Sequence, residues 1–452
     1  MAIGSPQWMY NSGSEFTIDQ SLRFNDADSA YLNRTLSSGN QKTWTWSCWF
    51  KRSKDARGIF LSAHTSGSDT ANITIQNSDI FQMYDYNGSY RLNLESNQVF
   101  RDHSAWYHIL VVLDTTQATE ANRAKVYING SQITSWATAV YPSQNADLKI
   151  NSAMAHEIGR RSGVSDLLDG YLAEAHFIDG TAKTPADFGE TGDYGEWKPV
   201  EYSGSYGTNG FYLDFADSGA LGDDKSGNTN DFTANNLAAS DQVLDSPTNN
   251  FATLNPLDKS GTVTLSEGNL KYVNNTGVVR GSMAGASSSK FYLEYCQLSA
   301  INGSNPIILG IGTTEGLPKH ESNHIASVMV QADGGSQKRV RIFLNNAQVQ
   351  STNFDALANT DAGSILQFAY DGTTGKVWVG LDGNWLQGDP ATGTSPIYTF
   401  SDTSHPMTAF VDHAGVSHTG VANFGQDSSF AGNKTAQGNQ DSNDIGDFYY
   451  TP

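Results

Sequence analysis

Three short stretches of this chain carry residue types that could do chemistry. His320-Glu321-Ser322-Asn323-His324 matches the string His-Glu-x-x-His. On a helix that spacing turns both histidines to one side to hold zinc, with the glutamate as general base. Here Gly316 and Pro318 precede the string and Ser-Asn fills it, so a polar loop with chance spacing is expected. Asp412-His413-Ala414-Gly415-Val416-Ser417-His418 reads as a hairpin turn rather than a ligand set. Trp136 lies beyond the first hairpin tip, Asn129-Gly130, and Trp385 just past the second, Asp382-Gly383-Asn384. Such an indole could offer its face to the C–H side of a sugar ring while amides take the hydroxyls, or it could cap its own core. These two are the candidate carbohydrate-binding residues. There is no phosphate-binding loop, no Gly-x-Ser-x-Gly and no cysteine pair at zinc spacing.

The bulk numbers narrow the classes. The formal net charge of −20 repels phosphate backbones and anionic membranes, so no nucleic acid and no membrane insertion are expected. No apolar run approaches the ~18–20 residues that cross a bilayer, and no signal peptide is visible in Met1–Gln20. No cofactor is expected. Ca2+ is the cation that so many carboxylates and Asn side chains could take, but no ligand set can be assigned. Cys48 and Cys296 lie in separate apolar strands and read as two buried reduced thiols.

The elements that must position these residues are strands. Trp106–Thr116 with Lys125–Gly130, and Ile365–Thr374 with Lys376–Gly383, are two hairpins of one design. Each has an apolar strand ending at Asp, a Thr-Thr turn, an alternating strand and an Asn-Gly or Asp-Gly tip. In Thr43–Lys51, Trp44, Trp46, Cys48 and Phe50 share one face and are expected in a core, with Thr45, Ser47, Trp49 and Lys51 on the other. Residues 184–189 suggest one short helix, with Thr184 as N-cap and Pro185 at its first position. Asp245–Asn250 is the best linker candidate by its Pro and Asn content.

Both halves resemble known families. Residues 20–190 resemble a laminin-G-like jelly roll of the concanavalin A-like superfamily, through Ser21–Phe24, Trp46–Phe50, Trp106–His108, Val126–Gly130, Ile158–Arg160 and Gly170–Glu174. In that family a segment like Phe211–Phe215 with Asp224–Asn228 and Asn230–Thr233 opens the domain; here it closes it, which implies a circular permutation. Residues 250–430 resemble a SPRY domain, through Phe291–Tyr295, Gly310–Gly312, the Tyr370–Asp382 hairpin and Asn423–Gly425. The superfamily also hosts β-glucanases with a Glu-x-Asp-x-x-Glu strand that brings two carboxylates to retaining spacing. No such run occurs here, and Glu174 and Glu294 are lone acids in apolar strands.

The expected fold is therefore all-β, two tandem concanavalin A-like jelly-roll β-sandwiches with the first circularly permuted. The expected domains are an N-terminal arm (1–19), a laminin-G-like sandwich (20–245), a SPRY-like sandwich (246–435) and a C-terminal tail (436–452). The tandem resembles virion proteins of tailed phages, particularly marine ones, of the tail-fibre or lectin-like kind. That resemblance implies a non-enzymatic appendage on a virion tail or capsid surface, made in the host cytoplasm. It would bind a host-surface glycan or neighbouring virion proteins, as a homo-oligomer and by analogy a trimer. Trp8, Met9, Tyr10, Phe448, Tyr449 and Tyr450 are the expected assembly contacts, because aromatic termini look unsatisfied on a lone chain. The alternatives are a structural adaptor or decoration protein without ligand and a polysaccharide-degrading enzyme. In the tail-fibre relatives chains often run on past a Tyr-Tyr-Thr-Pro like that of 449–452, so the natural chain could extend further.

Overall fold

The computed structural model describes residues 16–66, 68–161, 166–299, 307–315, 325–332 and 338–452. They fall into two compact units that meet in sequence between Asn250 and Phe251. Their regular structure is strand with a few short 3-10 turns and no α-helix. The expected helix at 184–189 is a single 3-10 turn, Pro185–Asp187, where both the N–H and the hydroxyl of Thr184 donate to Asp187 at 2.8 Å. It stops there because Gly189–Thr191 is already a strand.

The first unit is a sandwich of two antiparallel sheets. One runs, in spatial order, Ser131–Gln132, Ala124–Ile128, Tyr107–Asp114, Thr43–Arg52, Gly170–Asp179, Ser21–Phe24 and Gln242–Val243. The other runs Trp136–Val140, Tyr90–Val99, Ile80–Asn87, Asp69–Ile75, Gly58–Ser66, Ala155–Ile158, Tyr31–Thr35 and Thr233–Asn235. Alternation in Thr43–Arg52 works as expected: Trp44, Trp46 and Cys48 are 0% exposed and pack with Phe60, Ile73, Phe81 and Leu94 of the facing sheet. The closing segment docks here. Ser21–Phe24 pairs with the first half of Gly170–Asp179, Leu22 opposite Leu172, and Phe211–Leu213 pairs with the second half, Phe211 opposite Phe177.

The other face of Thr43–Arg52 is also buried. Thr45, Ser47, Trp49 and Lys51 are covered. Trp49 packs with Ile18, Trp106, Tyr171 and Val243, and Leu110 and Ile178 pack under Phe188, Tyr202 and Tyr206. This roof corrects two expectations. The linker candidate Asp245–Asn250 is built into the first unit. Lys51 Nζ donates to Asp245 Oδ2 at 2.7 Å and to Asn250 Oδ1 at 2.8 Å, and the Trp106 indole N–H donates to Asp245 Oδ1 at 2.9 Å. Pro and Asn mark a tight turn here, closed by Ser246 and Asn249 exchanging N–H···O bonds at 3.1 Å. Likewise the last residues of the proposed arm belong to this unit, with Ile18 buried and its N–H bonded to Thr248 Oγ1 at 2.9 Å. Trp8, Met9 and Tyr10 lie outside the described residues, as do His320, Glu321 and His324.

The second unit is one long antiparallel sheet folded on itself. Its order is Ala347–Asn353, Lys338–Leu344, Ala326–Ala332, Ile307–Thr313, Met407–Asn423, Lys290–Gln297, Ile365–Asp371, Lys376–Leu381 and Asn384–Trp385. Leu309, Ile311, Val328 and Ile342 meet Leu293, Tyr295, Phe368 and Val379 in one core. Met407–Asn423 corrects the hairpin turn expected at 412–418: it is one continuous strand of 17 residues. Lys271–Gly281 pairs along both of its halves. The first half of Met407–Asn423 also pairs with Ile307–Thr313 and its last residues with Lys290–Gln297, so this long strand passes from one layer to the other.

The tail is also part of the second unit. Phe448 is fully buried against Tyr292, Ala369 and Trp378, with Trp385 packed beside them. The expectation that Phe448 stands unpacked on a lone chain is thereby corrected. Tyr449 and Tyr450 are half-buried and pack against the second unit's core.

Candidate functional site

Two places in the first unit gather polar and aromatic side chains. One lies beneath the roof on the first sheet. Ser47 Oγ is 2.8 Å from His108 Nε2, His176 Nδ1 is 2.9 Å from the Tyr206 hydroxyl, and the Tyr212 hydroxyl donates to both Glu174 oxygens at 2.8 and 3.0 Å. The His176 ring stacks on Tyr212 with centroids 4.4 Å apart and planes 7° from parallel. Glu174 sits at a bulge between Ala173 and His176, with φ +50°. Burial, with His176 adding to it, pushes the His108 pKa down to about 3.

A serine beside a histidine is the start of a nucleophilic site, which also needs a group on the far ring nitrogen and room for a substrate. His108 Nδ1 has no partner among the described residues. The free space beside it, under Phe188, Pro199 and Val200, is about 10 Å³, enough for one water at most. Trp197 closes the roof over the hairpin tip, where Gly130 has φ +75° and a Cβ would run into the Trp197 ring. This row is packing chemistry, closed to ligands.

The second place is open. On the hairpin Ile80–Asn87 and Tyr90–Val99, Phe81 and Met83 face the core, so Gln82, Tyr84 and Tyr86 fall on the outer face by period two. Tyr90 follows the Asn87-Gly88-Ser89 tip and is 48% exposed. Its ring meets Tyr86 at 5.1 Å and Tyr84 at 5.9 Å, both edge to face. With Arg57, Thr70, Gln76, Gln82, Glu95 and Arg161 these tyrosines line a groove of about 470 Å³. Glu95 organises the floor. Its Oε1 accepts from Gln82 Nε2 at 2.9 Å and Gln76 Nε2 at 3.3 Å, and its Oε2 accepts from the Thr138 hydroxyl at 2.8 Å. At one end Arg161 Nη1 donates to the Tyr84 hydroxyl at 2.7 Å. Partial burial, reinforced by Tyr84 and Glu95, holds the Tyr90 hydroxyl above its ordinary pKa. Tyr90 is therefore a neutral ring with a hydroxyl donor at working pH. An aromatic face beside amide, carboxylate and guanidinium groups matches the amphipathic surface of a sugar.

The tryptophans chosen from sequence lie elsewhere. Trp136 is half-buried against the first unit's core and is not among the groove residues, although Thr138 on the same strand reaches Glu95. Trp385 is half-buried with its ring 6.2 Å from Tyr292. Sequence reasoning missed Tyr84, Tyr86, Tyr90, Gln82 and Glu95. The usable signal was Gln82-x-Tyr84-x-Tyr86 alternating with Phe81 and Met83, followed by Asn-Gly and Tyr90.

Among solved structures the chain is similar to mouse laminin alpha1 chain domains LG4-5, at 10% identity over 90% of each chain with a TM-score of 0.32. It is similar to the SPRY domain of human HERC1, at 12% identity over 37% of this chain and 96% of that one, TM-score 0.27. A putative carbohydrate binding protein from Bacteroides ovatus matches at 16% identity over 49% of this chain and 61% of that one, TM-score 0.30. No curated protein matches the chain in sequence. Residues 24–187, which hold the groove and most of both sheets of the first unit, match the family model described as the concanavalin A-like lectin/glucanases superfamily.

Proposed function

We propose that the chain is a non-catalytic glycan-binding protein whose ligand lies in the groove of the first unit. The observation that carries this is Tyr90, nearly half exposed beside Tyr84 and Tyr86 over a floor of Gln82 and Glu95. Aromatic rings left on the surface beside ordered polar groups are surfaces awaiting a ligand. The match of residues 24–187 to a superfamily of lectins and glucanases supports the binding half of this reading. Its non-catalytic half is supported by Glu174 and Glu294, each occupied by hydrogen bonds inside its own unit.

The wider setting we propose is a phage virion, as a tail-fibre or surface appendage binding a host-surface glycan, assembled with other virion proteins as a homo-oligomer. It rests on the resemblance of the tandem order. A glycan array probed with the whole chain tests the core of the reading. Binding is expected, and Tyr90→Ala should weaken it roughly tenfold or more, the worth of about 1.5 kcal/mol of lost ring contact. Equal binding by Tyr90→Ala, with the fold intact, sinks the groove.

A further inference from the structure

The positive charge of the groove is concentrated at one end. Arg57 precedes Gly58–Ser66, and Arg161 follows the neighbouring strand Ala155–Ile158. Both line the groove. Among the described residues they share a single carboxylate. Arg161 Nη2 is 2.7 Å from Asp166 Oδ2, while Arg57 Nη1 is 3.7 Å from the same oxygen, beyond hydrogen-bonding range. Two guanidinium groups against one carboxylate leave one positive charge uncompensated at that end. Glu95 does not supply the balance: it lies on Tyr90–Val99, three strands across the sheet from Gly58–Ser66. Its oxygens already accept from side chains of the floor.

The donors are poised as well as the charge. Arg161 is anchored by Asp166 and by the Tyr84 hydroxyl, so what it adds is a fixed positive charge. Arg57 makes no hydrogen bond among the described residues, so its five donors are uncommitted, and its side chain is 24% exposed. Arg57 and the exposed Tyr90 ring line the same groove. A planar fork next to an aromatic face recognises a carboxylate carried on a ring.

We propose that the groove takes an acidic glycan, with a uronate carboxylate held by Arg57 and Arg161 while the sugar ring lies on Tyr90. This rests on the glycan-binding reading above and names its ligand class. The chain's net charge of −20 opposes an anion at long range, but that repulsion is screened beyond about 8 Å at physiological salt. The guanidinium pair acts inside that distance.

The test titrates the full chain with hexagalacturonate and with the same oligomer after its carboxylates are reduced to alcohols. The uronate should bind at least tenfold more tightly, and its advantage should shrink between about 0.05 and 0.5 M salt. Arg57→Gln should remove roughly ten- to a hundredfold of the uronate affinity, the worth of hydrogen bonds to a charged group. It should cost the reduced oligomer much less than the uronate, and Arg57→Lys should restore part of the loss. Thermal melting of each variant checks the fold. If the reduced oligomer binds as well as the uronate, or Arg57→Gln weakens both alike, the acidic class is wrong and the groove reading survives. If neither oligomer binds and the array is blank, both fall together.

Discussion

Glu174 and Glu294 hold matching positions, one acid buried in an otherwise apolar strand of each unit, and they are held in opposite ways. Glu294 is 0% exposed, and each oxygen takes two donors. Oε1 accepts from the Tyr292 hydroxyl and the Tyr450 N–H at 2.8 Å, and Oε2 from the Tyr449 N–H at 2.9 Å and Asn423 Nδ2 at 3.1 Å. Burial pushes its pKa up, and the four donors pull it back. Glu174 has one firm donor, the Tyr212 hydroxyl, with His176 Nε2 farther off at 3.5 Å, and its backbone is left-handed. The difference teaches what each carboxylate does. Two of Glu294's donors are backbone groups of residues 449 and 450, so it staples the chain's last segment onto Lys290–Gln297 and seats Phe448 against Tyr292. Glu174 only fills a bulge under the roof.

The largest effect should come from breaking the staple. Glu294→Ala leaves four donors, two of them fully buried, without an acceptor and opens the seat of Phe448. The second unit should lose about 3–5 kcal/mol, since buried donors stripped of a charged partner cost that much. Cys48 and Cys296 make each unit report on itself, because both thiols are buried in the cores of different units. In a urea series, labelling of Cys296 should move to much lower urea while labelling of Cys48 stays put. A shift worth under about 1 kcal/mol at Cys296 would show that the segment is held by Phe448 alone.

The next effect belongs to the first unit and is driven by pH. His108 and His156 are each 1% exposed, and burial pushes their pKa values down to about 3 and about 4. Both are depressed below the unfolded value near 6.5, so the unfolded chain takes up protons that the folded unit refuses. Stability is therefore intact above about pH 6.5 and falls as pH drops toward the folded values. Between pH 7 and 5 the loss is about 2 kcal/mol for each histidine. A thiol reagent that reacts in acid should find Cys48 at lower urea at pH 5 than at pH 7, and His108→Gln should halve the difference. An unchanged urea midpoint for Cys48 would mean that these rings are already reached by water.

What sequence made legible was local. In the first hairpin Asp114 Oδ1 accepts from the N–H of Thr116 at 3.1 Å, and Asn129-Gly130 turns with φ +46° and +75°. In the second, Asp371 Oδ1 accepts from the N–H of Thr373 at 3.0 Å, and Asp382-Gly383 turns with φ +48° and +80°. Even the caps correspond. Asn129 Oδ1 takes the His108 N–H at 2.8 Å, and Asp382 Oδ1 takes the Ile365 N–H at 2.7 Å. These devices are encoded within a few residues, so the strands they join could be read directly. The linker, the tail and the groove depend on partners far away in the chain. Asp245 meets Lys51 across 194 positions and Tyr449 meets Glu294 across 155. The Tyr84–Arg161 contact spans 77. Composition marks such segments as turns or exposed aromatics, because it carries no record of what folds back to cover them.

The smallest effect sharpens the comparison at the backbone. Glu174→Gln keeps an oxygen for Tyr212 and removes only the charge, so the first unit should lose about 1 kcal/mol, within the range of one neutral hydrogen bond replacing a charged one. Glu174 also has φ +50°, a conformation that costs a residue with a Cβ about 1–2 kcal/mol and costs glycine nothing. Glu174→Gly gives up the carboxylate but relieves that strain, so its net effect on Cys48 protection should be smaller than that of Glu174→Ala by about 1 kcal/mol. Tyr212→Phe should cost the wild type more than it costs either the Gln or the Gly variant, with a coupling of about 1 kcal/mol in the double-mutant cycle. If Glu174→Gly instead destabilises as much as Glu294→Ala does in its own unit, the bulge carboxylate is a staple as well. The roofed row around His108 and His176 would then be held from Glu174 rather than by its aromatic cover.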